Sequence, residues 1–442
     1  MNLTKEQQEI YDGKQGATLA KVMQTLVRYG ELFGADGMVP VTSKYNHLVT
    51  SFGLKALAPV YELMNQLIES GNVSKQKFSA DPRPLDPNVP SSFLQDFVFK
   101  NFMYSKQDDY EKQLTQLGIM EKDAYTCTCY MDEVGNTPAM GEVLSWSESS
   151  AVVYANSVLG ARCNRNSGII DLMGSVVGYV PRFGLLTDEG RKATWIVKIE
   201  TTKKPEAQLL GSAIGMKVMA DVPYIVGLDK WLGGELDDAA KTYLKDFGAA
   251  TASNGAVGLY HVENITPEAV KYGKDLIAED AKVYVVDDAE LQRVYESYPV
   301  IWKKKDAKPK LCFMGCPHMS LQQLIDWTEK VSQSLKEAGR ARVCIPTVFT
   351  AAPAVLKKFQ ETPYAETLKA TGVITSYICP LMYMNNPLSE KMPVITSSNK
   401  LRTYTSARYY TDAEILEQIT KGGAAVSYTH LRAHETKAKL VC

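Results

Sequence analysis

The last third of this chain alternates short apolar runs with helical patterns, and that alternation limits the folds open to it. Val283-Tyr284-Val285-Val286 reads as a strand. So does Lys310–Met314, which precedes a long helical pattern over Leu321–Ala338. Arg342-Val343-Cys344-Ile345 reads as a further strand before a helix over Ala351–Phe359, and Val373–Ile378 and Val394–Thr396 complete the series. Strands separated by helices imply a parallel, doubly wound sheet. Such a sheet binds its ligands beyond the carboxyl ends of its strands.

Cysteines stand where that edge is expected. Gly315-Cys316-Pro317-His318 and Ile378-Cys379-Pro380 each follow a predicted strand, and right-handed crossovers place both thiols on the same edge. A third segment, Tyr125-Thr126-Cys127-Thr128-Cys129-Tyr130, adds a Cys-x-Cys. Three thiolates from distant loops can hold an iron–sulfur cluster and leave one iron open to substrate. Unrelated buried thiols fit the same pattern, and the cysteines alone leave both readings open. Cys312 and Cys344 lie inside predicted strands and read as packing residues. The chain lacks a GxGxxG, a phosphate-binding P-loop, an HExxH, a CxxC and a GxSxG, which argues against dinucleotide, nucleotide-hydrolase and zinc-peptidase chemistry.

Length and charge narrow the class further. The 442 residues suffice for two or three domains. Forty-nine basic side chains balance 50 acidic ones, so no nucleic-acid surface is expected. No apolar run reaches the ~18–20 residues of a membrane span, and the polar start Met1–Gln8 is not a secretory signal. Eight cysteines in such a chain point to the reducing cytoplasm. The expected organisation is a mixed α/β N-terminal and central core over 1–275, then a doubly wound domain over 276–423. A tail at 424–442, without apolar period, reads as non-native. Thr4 and Gln7 form a capping box, a helix spans Ala17–Leu32, and Asp81–Pro90 is too rich in proline for anything but a loop. Residues 135–260 are rich in Gly, Ala and Ser, as where a backbone approaches itself or a ligand.

Within that stretch, Asn156, Ser157, Arg162, Asn164 and Arg165 crowd arginines and amides among small residues. The guanidinium fork suits a carboxylate or phosphate; a solvated helix end is the other reading. His47 and His261 are isolated histidines, which more often satisfy local hydrogen bonds than catalyse.

Taken in order, several segments resemble the large subunit of the aconitase X family. They are Thr126-Cys127-Thr128, Ser147–Val152, Asn156–Arg165, Pro181–Gly184, Ser253–Val257, Thr266–Ala269 and Gly315–His318. The resemblance runs over residues 1–423. It implies an aconitase-like multidomain α/β fold and a hydro-lyase that removes water from a hydroxy acid such as 5-phosphomevalonate or cis-3-hydroxy-L-proline. It implies an iron–sulfur cluster on Cys127, Cys316 and Cys379. The cluster is 4Fe–4S in the first instance, with 2Fe–2S or mononuclear iron as alternatives. It assigns catalytic roles to His47, Glu148, Ser149 and Lys400. It assigns substrate contacts to Asn156, Ser157, Arg162, Asn164, Arg165, Asn254 and His318, with Arg162, Arg165 and Lys400 on the carboxylate or phosphate. Cys129 stands where the family usually has proline, and Cys163 where threonine is common. Ser397-Ser398-Asn399-Lys400 replaces a more usual Thr-Asn-Ser-(Gly/Ala)-Lys, and Lys400 carries over. No small swivelling domain is visible in the sequence. Two-chain members of the family carry it as a small subunit, so a partner chain supplying the base is expected. Two readings compete. One is a non-catalytic cluster module for sensing or electron transfer, with Cys129 as fourth ligand and no open iron. The other is a scaffold whose cysteines only pack.

Overall fold

The alternating C-terminal pattern builds a parallel sheet in the computed structural model, which describes residues 1–422; the expected tail at 424–442 lies outside the described residues. Leu311–Met319 is the central strand. Thr347–Ala351 and then Ile374–Ser376 flank it on one side, Val394–Thr396 and then Arg408–Tyr409 on the other, all parallel. Alternate side chains feed opposite faces. Cys312 and Met314 join Trp327, Val331 and Phe359 in one core, whereas Leu311 and Phe313 join Phe99, Tyr383 and Leu401 in another. A strand buried on both faces reads as the continuous apolar run seen in the sequence.

Three sequence expectations are corrected here. Arg342–Ile345 is not a strand. Its amides leave the sheet: Val343 N–H bonds to Thr371 O and Cys344 N–H to Ile419 O. Pro346 then interrupts the run, and the strand starts at Thr347, so the helix follows only from Pro353, where a proline is favoured. Val283–Val286 is a strand, but of another sheet. It ends Ile277–Val286, the edge of a second parallel sheet that continues through Ala193–Ile199 and Pro223–Val226 to His261–Val262. The strand expected over Val373–Ile378 is confined to Ile374–Ser376.

The N-terminal part matches its local signals. Thr4 and Gln7 form the capping box, and a helix spans Ala17–Leu32. Tyr45–Leu48 and Lys77–Ala80 pair in parallel, and single bridges extend them, His47 to Trp146 and Ala80 to Tyr125. The segments that carry Ser147 and Cys127 therefore flank this pair on its two sides. The proline-rich stretch after Ala80 is irregular and joins the two halves of the chain, because Arg83 O accepts the Cys379 N–H at 2.9 Å. In the glycine-rich middle the backbone approaches itself. A Cβ at Gly211 would lie 2.3 Å from Phe247 O, so helices Ala207–Val218 and Asp238–Asn254 touch only because that side chain is absent.

Helix Ser149–Ser157 is buried along nearly its whole length. Arg191 holds its carboxyl end, donating to Asn156 O at 3.0 Å and to Asn156 Oδ1 at 3.2 Å. Arg191 is itself paired with Glu268 at 2.8 Å, the two side chains 1% and 5% exposed. Replacing Arg191 with Met strands the Glu268 carboxylate in the core. Urea unfolding of the Arg191→Met chain is expected to show a loss of about 3–5 kcal/mol; a loss within experimental scatter would refute this account of the pair.

Candidate active site

Three thiols from three segments line one cavity of about 240 Å³, together with Asp81, Glu148 and Lys400. Cys127 lies just past the bridge between Ala80 and Tyr125. Cys316 lies in an excursion of the central strand. Pairing with the neighbouring strand stops at Met314–Phe349 and resumes at Met319–Ala351. Gly315 permits the departure with φ +96°, where a Cβ would meet Thr350 O at 2.3 Å. Cys316 was expected just past the strand's end; it sits instead between the regular pairing that stops at Met314–Phe349 and the single closing pair Met319–Ala351. Cys379 follows Ile374–Ser376 and caps the short helix Pro380–Met384.

His318 ties the three segments together. Its backbone N–H points at Cys127 Sγ, 3.4 Å away. Burial drives its ring down to about 4, so the imidazole is neutral. Nε2 lies 3.2 Å from Ile378 O and must be the donor there. Nδ1 therefore accepts from the Thr126 hydroxyl at 3.0 Å. Both ring nitrogens are engaged by protein, so the imidazole joins loops, and His318, expected from the sequence as a substrate contact, also lines the cavity.

Lys400 brings positive charge to the thiols. It sits in helix Asn399–Tyr404, and its ammonium bonds to Glu148 Oε1 and approaches Ser150 Oγ at 3.4 Å. Burial works against that charge, but Glu148, Cys316 and Cys127 outweigh it and hold the amine above its ordinary range. Glu148 is equally desolvated. Lys400, the Ser150 hydroxyl at 2.6 Å and the Ala151 N–H at 2.7 Å nevertheless keep its carboxyl below the usual value. Burial raises all three thiols, Cys127 well above the ordinary range and Cys379 to about 12, and Lys400 opposes the rise at each. Thiols held protonated by burial ionise when a metal group supplies the compensating charge.

The other expected residues divide. Ser149 lines the cavity, as does Ser147. Arg165 lines an adjoining hollow that shares those two serines. It reaches Ala252 O at 3.4 Å, and no carboxylate pairs with it among the described residues. His47 lies behind the cavity wall, with Nδ1 2.9 Å from Ser79 Oγ and Nε2 3.5 Å from Asp81 Oδ1. The latter separation is too long for a good hydrogen bond, and both atoms lack one. Burial opposes charge on His47, but Cys129 and Asp81 outweigh it and hold the ring up to about 10. Cys129 is buried on that side and does not line the cavity.

Asn156, Ser157 and Asn164 serve the backbone. Asn156 donates to Cys163 O and Gly258 O, both at 2.8 Å. Ser157 accepts the Tyr260 N–H at 2.9 Å, and Asn164 joins Phe183 O to the Leu185 N–H. Arg162 turns to Asp188 and Leu186 O. Asn254 accepts from Ser212 at 3.0 Å and from Arg402. None of these five lines the cysteine cavity. The sequence reading passed over Asp81, although an acid between a strand and a proline-rich loop stands where ligands gather. Ser398, which the resemblance carries over only weakly, donates its hydroxyl to Cys316 O.

All seven cysteines among the described residues are free. No three His, Cys, Asp or Glu side chains among those residues converge on a single ion's position.

Comparison with known proteins follows the same lines. Residues 1–189 match the family model "Aconitase X first domain" and residues 193–296 match "Aconitase X second domain". The chain is 32% identical over 373 residues to the phosphomevalonate dehydratase large subunit of Thermococcus kodakarensis, covering 84% of this chain and 86% of that one. It is 30% identical over 412 residues to that of Methanosarcina mazei, covering 91% and 92%. With the cis-3-hydroxy-L-proline dehydratase of Hypocrea jecorina it shares 27% over 346 residues, 73% of this chain but 52% of that one. Among solved structures it resembles the crystal structure of Thermococcus kodakaraensis aconitase X in holo-form. That match has a TM-score of 0.76 and 28% identity, over 95% of this chain and 100% of that one.

The Glu148–Lys400 pair predicts an acid-sensitive contribution to stability. The folded-state pKa of Glu148 lies below its ordinary 4.5. Its stabilisation is therefore complete above that pH and is lost as pH falls through the depressed value. Urea unfolding of the parent and of Lys400→Met is expected to differ most near pH 7 and to converge as pH falls through the depressed Glu148 value, below 4.5. A gap that stays constant across that window would rule out the pair as its source.

Proposed function

The chain belongs to the aconitase X family, and from that premise we propose that it is the large subunit of a phosphomevalonate-type dehydratase. In this reading Cys127, Cys316 and Cys379 hold a 4Fe–4S cluster, and a small partner subunit completes the site in the cytoplasm. That the chain is a hydro-lyase follows from its relatives, dehydratases that match most of its length. The observation that carries the finer reading is the convergence of three free thiols and the Glu148–Lys400 pair on one cavity. The absence, among the described residues, of a three-donor single-ion site favours a cluster over one iron. The position of Cys129 beside His47, off the cavity lining, favours an open iron over four-cysteine ligation. Phosphomevalonate dehydratase large subunits matched over 79–92% of their length, against 42–52% for the hydroxyproline enzymes, favour the phosphorylated substrate.

A cluster bound there supplies a Lewis-acidic iron for the departing hydroxyl. The remaining work falls to side chains. Arg165, unpaired in the adjoining hollow, grips the phosphate through its planar fork. Lys400 stays an ammonium and stabilises the negative charge that spreads onto the substrate carboxylate as the neighbouring carbon loses its proton. Lys400 has no lone pair to offer, and Glu148 spends its own on Ser150, Ala151 and Lys400. Neither is the base, which the small subunit is expected to bring.

Iron and acid-labile sulfide per chain after anaerobic purification test the ligand set. Cys127→Ala, Cys316→Ala and Cys379→Ala should each lose the cluster, and Cys129→Ala should keep it; iron that survives the first three substitutions sinks the assignment. With the small subunit added, Arg165→Met should raise KM for 5-phosphomevalonate by about tenfold or more. An unchanged KM would place the phosphate elsewhere.

A further inference from the structure

The peptide that carries Cys316 is held from outside the cavity by side chains of four elements. Thr350 donates to Gly315 O at 2.6 Å. Ser398 and Gln208, the latter at 3.4 Å, donate to Cys316 O. Lys245 donates to His318 O at 3.1 Å. Three carbonyls of a four-residue excursion thus have side-chain partners, where an exposed loop would leave them to water.

Lys245 is the member that packing alone does not explain. It lies in the middle of helix Asp238–Asn254 and is 1% exposed. A buried ammonium is costly unless it is paired and fully hydrogen-bonded, and this one is placed for both. Its Nζ lies 2.7 Å from Asp246 Oδ1, and Asp246 is steadied in turn by Gln323 Nε2 at 2.7 Å. The carbonyl it holds belongs to His318, whose ring and N–H bind the other two cysteine segments. Asp246, Gln323 and Gln208 border a second cleft of about 440 Å³, which shares Gly315 and Cys316 with the thiol cavity.

We propose that Lys245 is a positioning residue for Cys316. Through the His318 carbonyl it fixes the excursion at the height where the thiol faces the cavity. This deepens the proposed function. It rests on that reading for the cluster, but not for the geometry of the loop.

The test uses the full chain free of cluster. Alkylation of Cys316 by iodoacetamide is followed by peptide mass spectrometry, with Cys127 and Cys379 as internal references. Lys245→Met removes donor and charge, Lys245→Gln keeps a donor, and Lys245→Arg keeps the charge. Cys316 should be alkylated about tenfold faster in Lys245→Met than in the parent. Lys245→Gln should be intermediate and Lys245→Arg close to the parent. The reconstituted Lys245→Met chain should also lose iron and its visible absorption faster. If Lys245→Met does not fold, Lys245→Gln decides by the same ratio. Acceleration at all three cysteines alike, or at none, overturns the proposal. A parent chain that never takes up iron overturns the proposed function instead and leaves the alkylation result standing.

Discussion

One imidazole decides whether the three thiols share a cavity. His318 reaches Thr126, next to Cys127, with one ring nitrogen and Ile378, next to Cys379, with the other, from two residues beyond Cys316. The partners lie 192 and 60 residues away along the chain. Chain separation adds little to the entropy of such a closure, which grows only with the logarithm of loop length. What the closure demands is a fully satisfied ring, because a buried nitrogen without a partner costs more than a good bond returns. A neutral His318 meets that demand with one donor and one acceptor.

Around this staple, helix Ser149–Ser157 acts as a spindle between the two halves of the molecule. At its start Glu148 meets Lys400 of the C-terminal half; at its end Asn156 is held by the Arg191–Glu268 pair. A helix buried on every side has few other ways to fix its rotation, since its apolar contacts are nearly uniform around the axis. Ion pairs at both ends supply the direction that hydrophobic packing leaves open.

Local chemistry was legible in the sequence, and pairing partners were not. The Thr4 capping box, the Ala17–Leu32 helix and the irregular chain after Asp81 follow from residues within a few positions of one another. Val283–Val286 is strand-like by composition alone, and nothing in it says that its neighbour is Ala193–Ile199 rather than Leu311–Met319. Arg342–Ile345 is as apolar as a strand needs to be, but Pro346 hands the pairing to Thr347–Ala351. The site shows the same division. Cysteines at the ends of strands pointed to one edge of a sheet. Asn156, Ser157 and Asn164 looked like ligand contacts because polar groups among small residues suit a substrate, yet they equally suit unpaired backbone, and here they serve it. Lys245 went unnoticed because a lysine in a helical pattern reads as surface, and only the fold reveals the carbonyl it meets.

The central strand spends five residue steps, Met314 to Met319, where its neighbour spends two, Phe349 to Ala351. The surplus is three residues of slack projecting from the sheet's edge. The rungs on either side are Met314–Phe349 and Met319–Ala351, so the length of that slack bounds how far the Cys316 thiol can extend, and the side chains that hold its carbonyls fix it within that bound. Shortening the excursion by one residue would draw the thiol back toward the sheet while leaving both flanking registers in place. The reach of this thiol is thus a dimension the chain can adjust independently of its core.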